Sequence, residues 1–270
     1  MDRKITMLGT GHALVTKCYN TCFSITNGGK TFLVDAGGGN GILSQAEKAG
    51  IDFASVHNMF LTHAHTDHIM GVVWVVRMIT TMTAEKKYFG EFQIYCHDAA
   101  AEKLKTLLNA VLPDKNKYLE SGQVKINIVA EGDTLSVDEM DLEFFDIRST
   151  KLKQFGFKAT WSDGLTLVCP GDEPLCADVA SSRAKGADWL MHEAFCLDRD
   201  VERFHPYEKH HSTALDAGES AEELGVKNLI LYHTEDSDLA NRKRLYTADA
   251  AKNFSGNIFV PNDLETIELQ

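Results

Sequence analysis

Residues 61–68 read Leu61-Thr62-His63-Ala64-His65-Thr66-Asp67-His68, and this stretch decides the fold. Three histidines and one aspartate within six residues supply the nitrogen and oxygen ligands that suit zinc or a similar divalent ion. His63 and His65, two apart on an extended segment, point the same way and can bind one ion. Asp67 and His68 continue the turn and can reach a second ion. The alternative interpretation is a chance cluster of histidines on a polar loop.

Apolar segments flank this cluster on both sides, which argues against a chance cluster. His57–Leu61 is predicted as a buried strand, and Ile69–Thr81 as a helix from its length, although its valine content also suits a strand. The other predicted strands are Ile5–Leu8, Cys22–Thr26, Thr31–Val34, Phe92–Cys96, Lys125–Val129, Leu142–Ile147, Phe155–Thr160, Leu165–Cys169, Trp189–Met191 and Asn228–Leu231. The other predicted helices are Leu43–Ala49, Ala99–Val111 and Ser212–Leu224. This alternation predicts an α/β fold in which two strand-rich halves, each flanked by helices, share one core.

Composition and charge exclude several classes of protein. The 270 residues are 44% apolar and 24% charged, which is ordinary for a globular protein and excludes disorder, collagen and coiled coils. No apolar run approaches the roughly 18–20 residues of a membrane helix, and no signal-peptide pattern is present, so we expect a cytoplasmic protein without a membrane partner. Lys plus Arg number 27 and Asp plus Glu number 39, which gives a net charge of −12. Such a chain repels phosphate backbones at long range, so extensive nucleic-acid binding is not expected.

Motifs along nearly the whole chain resemble those of the metallo-β-lactamase superfamily and, within it, the ribonuclease Z-like branch. Besides the histidine cluster, the motifs that carry the resemblance are Leu8-Gly9-Thr10-Gly11, Val34-Asp35-Ala36-Gly37-Gly38-Gly39, Pro170-Gly171-Asp172, His192-Glu193-Ala194, His211-Ser212-Thr213-Ala214 and Leu229-Ile230-Leu231-Tyr232-His233. They occur in the family's order. The resemblance implies a metallo-β-lactamase-like αββα four-layer sandwich. It implies a single domain over residues 1–270, with two pseudo-equivalent halves and a boundary near residue 125.

The resemblance also implies two divalent metal ions, most simply zinc, with manganese or iron as alternatives. The implied ligands of the first ion are His63, His65 and Asp172. The implied ligands of the second ion are Asp67, His68, His233 and again Asp172, which bridges the two metals. The resemblance suggests a homodimer as well.

One position departs from the family pattern. The family places a third histidine for the first metal six residues before the glycine of a Phe-Gly pair. That pair is Phe155-Gly156 here, and the position falls on Thr150. Three protein ligands and a hydroxide can still complete a tetrahedral zinc, with the first ion held more weakly. Otherwise the alignment slips by a residue, or another group fills the position: Asp146, Ser149 or His192.

Hydrolysis by a hydroxide that two metal ions activate is the chemistry implied by this ligand set. Two ions sharing Asp172 would lower the pKa of a bridging water towards neutrality and stabilise negative charge on the attacked centre. The resemblance implies that Asp67 also takes a proton from the nucleophile. It implies that His211, hydrogen-bonded by Glu193, protonates the leaving oxygen or stabilises its charge. The alternative is that Glu193 and His211 are a buried pair that only holds the helix at Ser212.

A small phosphodiester, such as a cyclic nucleotide or a short head-group ester, is the predicted substrate class, because oxygens on phosphorus can lie on both metals. Transfer-RNA 3′-end processing fits poorly. Bacterial ribonuclease Z inserts a long substrate-gripping arm between its Phe-Gly strand and its Gly-Asp motif, and the segment from Lys158 to Pro170 is too short for one. Two alternatives stay open: a hydrolase of another ester, a lactone or a thioester, and a non-catalytic metal-binding sensor with a degenerate first site.

Overall fold

Two β-sheets of seven strands each, together with helices, make up the structure of residues 3–270, which a computed structural model describes. In chain order the strands are β1 (Arg3–Gly9), β2 (Cys22–Asn27), β3 (Lys30–Val34), β4 (Val56–Leu61), β5 (Phe92–Cys96), β6 (Val124–Ile128), β7 (Thr134–Val137), β8 (Met140–Asp146), β9 (Phe155–Trp161), β10 (Thr166–Cys169), β11 (Trp189–Glu193), β12 (Asn228–Tyr232), β13 (Asn257–Phe259) and β14 (Thr266–Glu268). The helices are α1 (Gly41–Lys48), α2 (Thr66–Ala84), α3 (Asp98–Val111), α4 (Asn116–Glu120), α5 (Ala177–Arg183), α6 (Val201–Phe204), α7 (Ala214–Leu224) and α8 (Leu239–Ala250). The predicted α/β class is confirmed. Of the helices in this range, none combines the length and the hydropathy that a membrane span requires.

The chain divides into two compact units, each with one of the sheets. Of the described residues, the first unit comprises 3–9, Tyr19–Ala130 and Asp263–Gln270. The second comprises Thr10–Cys18 and Glu131–Asn262. Strands β1 to β6, strand β14 and helices α1 to α4 belong to the first unit, and the remaining elements belong to the second. The expectation of a single domain with a boundary near residue 125 stays a prediction.

In the first unit, the sheet has the strand order β14-β1-β2-β3-β4-β5-β6. Strands β14, β1, β2 and β3 pair antiparallel, whereas β3, β4, β5 and β6 run parallel. The apolar segment after the histidine cluster, which the sequence leaves ambiguous, is helix α2. Its Val72, Val76 and Ile79 lie three or four residues apart and are buried in one core with Leu61 of β4. This packing fixes both ends of the histidine cluster, because the cluster joins β4 to α2.

In the second unit, the sheet has the strand order β13-β12-β11-β10-β9-β8-β7. Strands β7 to β10 pair antiparallel, and β10 to β13 run parallel. Helices α7 and α8 contribute Ala217 and Tyr246 to the core on this sheet. Because β10, β11 and β12 are parallel, their carboxyl ends lie at the same edge of the sheet, which is where α/β folds bind ligands. Asp172, Glu193 and His233 stand at or just after these three ends.

Helix α7 confirms the helix predicted over Ser212–Leu224, with its first residue two positions later. Thr213 caps it: the Thr213 hydroxyl accepts from the Asp216 amide at 3.1 Å, and the Asp216 carboxylate accepts from the Thr213 amide at 2.8 Å. This reciprocal pair is a capping box, and it fixes where the helix begins. Gly225 ends the helix in a left-handed conformation, with φ of 65°.

An early segment of the chain, Thr10–Cys18, belongs to the second unit, where it pairs with the turn after β12. The Thr234 amide donates to the Thr10 carbonyl at 3.0 Å, and the His12 amide donates to the Thr234 carbonyl at 3.1 Å. The Asp236 carboxylate accepts from two further amides of the segment, at 2.6 and 2.8 Å. These hydrogen bonds fix the backbone directly after the predicted ligand at position 233.

Several elements are not predicted by the sequence pattern: β7, β13, β14, α4, α5, α6 and α8. Helix α8 is the longest of them, with 12 residues. Its Arg242 is 2% exposed, and the guanidinium donates to the hydroxyls of Thr10 and Thr234 at 3.0 Å each. A buried helix face that carries an arginine does not produce the apolar periodicity on which the prediction depends.

Candidate metal centre and active site

The link between β4 and α2 carries the histidine cluster, and Asp35 fixes its backbone. The amide and the hydroxyl of Thr62 each donate to the Asp35 carboxylate at 2.8 Å. His68 Nδ1 lies 2.7 Å from Asp35 Oδ2. Because the carboxylate holds the hydrogen on Nδ1, the His68 Nε2 lone pair is the one that a metal would use. Gly71 lets α2 approach closely, since a Cβ there would overlap the carbonyl oxygen of Ala36.

His63 is oriented through the same hydrogen-bond chain. Its Nδ1 lies 2.9 Å from the Thr62 hydroxyl. Since that hydroxyl donates its own hydrogen to Asp35, it accepts the hydrogen of His63 Nδ1 and leaves Nε2 as the ligand atom. His63 Nε2 and His65 Nδ1 face each other at 2.9 Å. Two ring nitrogens at this separation are placed to bind the same ion.

We expect Asp35→Asn to weaken metal binding, because its NH₂ group would replace one carboxylate oxygen and face a donor. That donor is the Thr62 amide if the NH₂ replaces Oδ1, or the Thr62 hydroxyl and His68 Nδ1 if it replaces Oδ2. Changes to groups that orient metal ligands cost about 10- to 100-fold in affinity. Zinc titration of the metal-depleted protein against a competing chelator measures the effect. Glu47→Gln, an exposed carboxylate of helix α1, is the matched control. Equal zinc affinity in wild type and Asp35→Asn would contradict the role of Asp35 in orienting the ligands.

Asp172 and His233 follow the parallel strands β10 and β12. Asp172 Oδ2 and His233 Nε2 lie 3.6 Å apart, and both side chains are buried. The Tyr232 hydroxyl donates to the Gly171 carbonyl and so ties the two strand ends together. His233 has φ of 60°, a left-handed conformation that costs energy for a residue other than glycine. The hydrogen bonds of Thr234 to the early segment hold this strained turn in place.

Ligand atoms of the predicted metal residues form two groups. One group is Asp67, His68, Asp172 and His233, and the other is His63, His65 and Asp172. Within each group, one ligand atom of every residue lies within 4.8 Å of the others, and Asp172 belongs to both groups. All of these side chains are buried except His65, which is half-buried. Imidazole nitrogens and carboxylate oxygens in this combination fit a borderline divalent ion such as zinc, so the residues present fit the implied metals.

No third histidine of residues 3–270 joins the group of His63, His65 and Asp172. Neither Asp146 nor His192 is a member of either group formed within residues 3–270. The Ser149 hydroxyl donates to a neighbouring glutamate at 2.9 Å, and Thr150 Oγ1 lies 2.8 Å from His210 Nδ1. Within residues 3–270, the group of His63, His65 and Asp172 therefore offers three protein ligands.

Glu193 holds the backbone before α7 and lies beside His211. Its Oε1 accepts from the amide and the hydroxyl of Ser212 at 2.5 and 2.7 Å. Its Oε2 lies 3.6 Å from His211 Nδ1, longer than a hydrogen bond, so the attraction there is mainly electrostatic. Burial acts to lower the pKa of His211, but the Glu193 carboxylate outweighs it and the pKa is raised. His211 can therefore keep a proton for a leaving group, and it belongs to neither ligand group.

Two aromatic contacts of Phe195, one of them with His211, are not indicated by the sequence motifs. The Phe195 ring stacks on the His211 ring, with centroids 5.0 Å apart and planes 17° apart. The His12 ring packs on Phe195 with centroids at 4.5 Å. Phe195 directly follows the His-Glu-Ala motif, and that position is the signal that could have found it. The stack restricts the orientation of the His211 ring.

The sequence of this chain matches a known protein family over most of its length. The family described as Anti-Pycsar protein Apyc1 matches residues 3–254. The chain belongs to the Anti-Pycsar protein Apyc1 family. All six predicted metal ligands, from His63 to His233, lie inside the range that the Apyc1 family covers.

Relatives of this Apyc1-family chain share its fold over nearly its whole length. A curated protein named Ribonuclease Z, from Mycolicibacterium paratuberculosis (strain ATCC BAA-968 / K-10), is 25% identical over 288 residues, which cover 98% of each chain. The solved structure of the metallo-beta-lactamase fold protein YhfI from Bacillus subtilis matches with a TM-score of 0.77 at 19% identity, covering 99% of this chain and 100% of its own. A diphosphatase of the PhnP family matches with a TM-score of 0.75 at 17% identity, covering 99% of this chain and 98% of its own. The predicted metallo-β-lactamase fold and its ribonuclease Z-like branch are confirmed.

Proposed function

We propose that this chain hydrolyses small phosphodiesters with the help of two divalent metal ions, zinc in the first place and manganese or iron as alternatives. The observation that carries the proposal is the pair of buried ligand groups that share Asp172. The names of the relatives, Ribonuclease Z and diphosphatase, support hydrolysis at phosphorus. At the level of a metal-dependent hydrolase of the phosphodiesterase type, the prediction from the sequence is confirmed by these relatives and by the ligand groups.

The metal ligands in this proposal are His63, His65, Asp67, His68, Asp172 and His233. When bound, two such ions stabilise charge on phosphoryl oxygens and lower the pKa of water. The chain's own residues do the rest. Asp35 and Thr62 keep the imidazoles in the tautomers that present Nε2. Asp67 takes a proton from the nucleophile.

His211 protonates the leaving oxygen in this proposal. The Glu193 carboxylate, whose Oε2 lies 3.6 Å from His211 Nδ1, raises the pKa of His211 and so favours the protonated imidazole. The Phe195 stack holds the ring plane. General acid catalysis requires a protonated group in a fixed orientation, and the contacts of His211 with Glu193 and Phe195 favour both.

The hairpin formed by β9 and β10 supports a small substrate. Four residues, 162–165, connect the two strands. Within this turn the Trp161 amide donates to the Leu165 carbonyl at 3.0 Å, and the Gly164 amide donates to the Trp161 carbonyl at 2.8 Å. So tight a turn leaves no room for an arm that grips RNA at this point of the chain. The net charge of −12 also disfavours binding of a long phosphate backbone.

A cytoplasmic location and a homodimer stay predictions.

Parallel turnover assays test the substrate class. We expect the zinc-loaded protein to hydrolyse a chromogenic phosphodiester and to leave a transfer-RNA precursor essentially uncut. The reason is that the turn between β9 and β10 has no room for the arm and that the net charge of −12 disfavours RNA binding. A lactone and a thioester serve as further substrates, and protein treated with a chelator is the control. Efficient, site-specific release of the RNA trailer would contradict the small-substrate proposal. If only the lactone or the thioester were hydrolysed, the substrate class would be that ester and not a phosphodiester.

A further inference from the structure

The loop between β8 and β9 concentrates positive charge in an acidic protein. Arg148, Lys151 and Lys153 lie within six residues of a chain whose net charge is −12. The base of the loop is closed by the Ile147 amide, which donates to the Gln154 carbonyl at 3.2 Å. These cations therefore sit on a short loop of fixed ends rather than on a free tail.

Glu173, the residue after Asp172, anchors this loop. Its Oε1 accepts from the Ser149 hydroxyl at 2.9 Å and from Gln154 Nε2 at 3.0 Å. The Ser149 hydroxyl in turn accepts from the Lys151 amide at 3.2 Å. Glu173 is only 5% exposed, and its bond to Gln154 is buried, whereas the bond from Lys151 to Ser149 is exposed. The backbone of Lys151 is thereby held in one hydrogen-bond network with the residue next to the shared metal ligand.

The loop held by this anchor also contacts His210. Thr150 Oγ1 lies 2.8 Å from His210 Nδ1 and so holds the ring from the loop side. Lys151 follows Thr150 directly in the chain, so the loop carries its cation next to the residue that contacts His210.

The Lys151 ammonium is available to a ligand. Within residues 3–270, no carboxylate lies within salt-bridge distance of it, and the side chain is exposed. Thr150 and His210 are exposed as well. An ammonium is a compact charge that suits phosphate oxygens, and an imidazole nitrogen adds a directed hydrogen bond.

We propose that Lys151 and His210, with Thr150 holding the latter, form an anion-binding subsite for a phosphate group of the substrate. The inference rests on the proposed function, because a small phosphodiester is the ligand that the subsite would take. The family resemblance places a third metal histidine at position 150. In this chain the residue there, Thr150, instead orients the His210 imidazole, which contacts phosphate oxygens of the substrate.

Inorganic phosphate is the probe, used with metal-depleted protein in the presence of a chelator so that no metal contributes to binding. An NMR titration gives its dissociation constant for wild type, Lys151→Glu and Thr150→Val. Lys185→Glu, an exposed lysine between α5 and β11, makes the same charge change elsewhere in the same unit. We expect the dissociation constant to rise about tenfold in Lys151→Glu and about threefold in Thr150→Val, and to stay unchanged in the control. The difference in phosphate dissociation constant between wild type and Lys151→Glu should become smaller as salt is added, because exposed charges are screened.

Steady-state kinetics of the zinc-loaded protein provide the second measurement. The KM for a chromogenic phosphodiester should rise in parallel with the phosphate dissociation constant, with kcat within about twofold of wild type. No phosphate binding by wild type, or equal dissociation constants in wild type and Lys151→Glu, would overturn the subsite. If phosphate binding follows the expected order while no phosphodiester is hydrolysed, the subsite stands and the proposed function fails.

Discussion

Asp172→Ala is expected to remove both metal ions and to lower phosphodiester turnover by about a thousandfold or more. The physical reason is that Asp172 supplies a ligand atom to both groups, so its loss leaves two imidazoles in one group and three ligands in the other. Two metals that act together stabilise both the attacking and the leaving oxygen, and their joint loss removes most of the rate enhancement. Metal content by mass spectrometry after gel filtration, together with turnover, measures both effects.

The control variants for this experiment separate a shared ligand from an ordinary one. His233→Ala should chiefly deplete the group that contains Asp67 and His68, since His233 belongs to that group alone. Asp178→Ala, an exposed aspartate in helix α5, should retain full metal content. If Asp172→Ala kept both ions, Asp172 would not be the shared ligand.

His211→Ala is expected to lower kcat about 10²- to 10⁴-fold while metal content stays unchanged, because general acid catalysis contributes on that scale. The structure supports the role through the electrostatic contact with Glu193, which raises the pKa of His211, and through its absence from both ligand groups. Turnover of a phosphodiester with an alkoxide leaving group, together with metal analysis, measures both quantities.

A change of leaving group supplies the internal control. A nitrophenolate leaves without a proton, so His211→Ala should lose much less activity on a nitrophenyl ester than on an alkyl ester. Equal losses on both esters would show that the imidazole acts in another way. Loss of a metal ion from His211→Ala would instead make His211 a ligand.

The sequence predicts much of the fold and of the candidate site because the relevant signals are local. The histidine cluster combines its ligands within six residues, and the apolar runs on either side fix it between a strand and a helix. Asp172 and His233 stand directly after buried strands, so parallel pairing alone brings them to one sheet edge. The order of the family motifs along the chain then indicates which distant segments belong to the same site.

Features that depend on contacts between distant residues could not be predicted from local patterns. Helix α8 buries Arg242 and Asp249, so its inner face does not look apolar. Spacing from Phe155-Gly156 identifies Thr150 as the unusual position, but its partner His210 lies 60 residues away in sequence. Nothing local predicts that pairing, nor the stacking of Phe195 on His211.

The position of Thr10–Cys18 in the chain has a consequence for biosynthesis. Thr16 of this segment donates to Asp236, which is encoded 220 residues later. At about 5–20 residues per second, translation takes roughly 10–45 s to supply that partner. During this interval the amides of Thr16 and Lys17 can bond only to water or to non-native partners. The hydrogen bonds from the early segment to Asp236 therefore form only after residue 236 has been translated, so a polypeptide cut short before that residue would lack them.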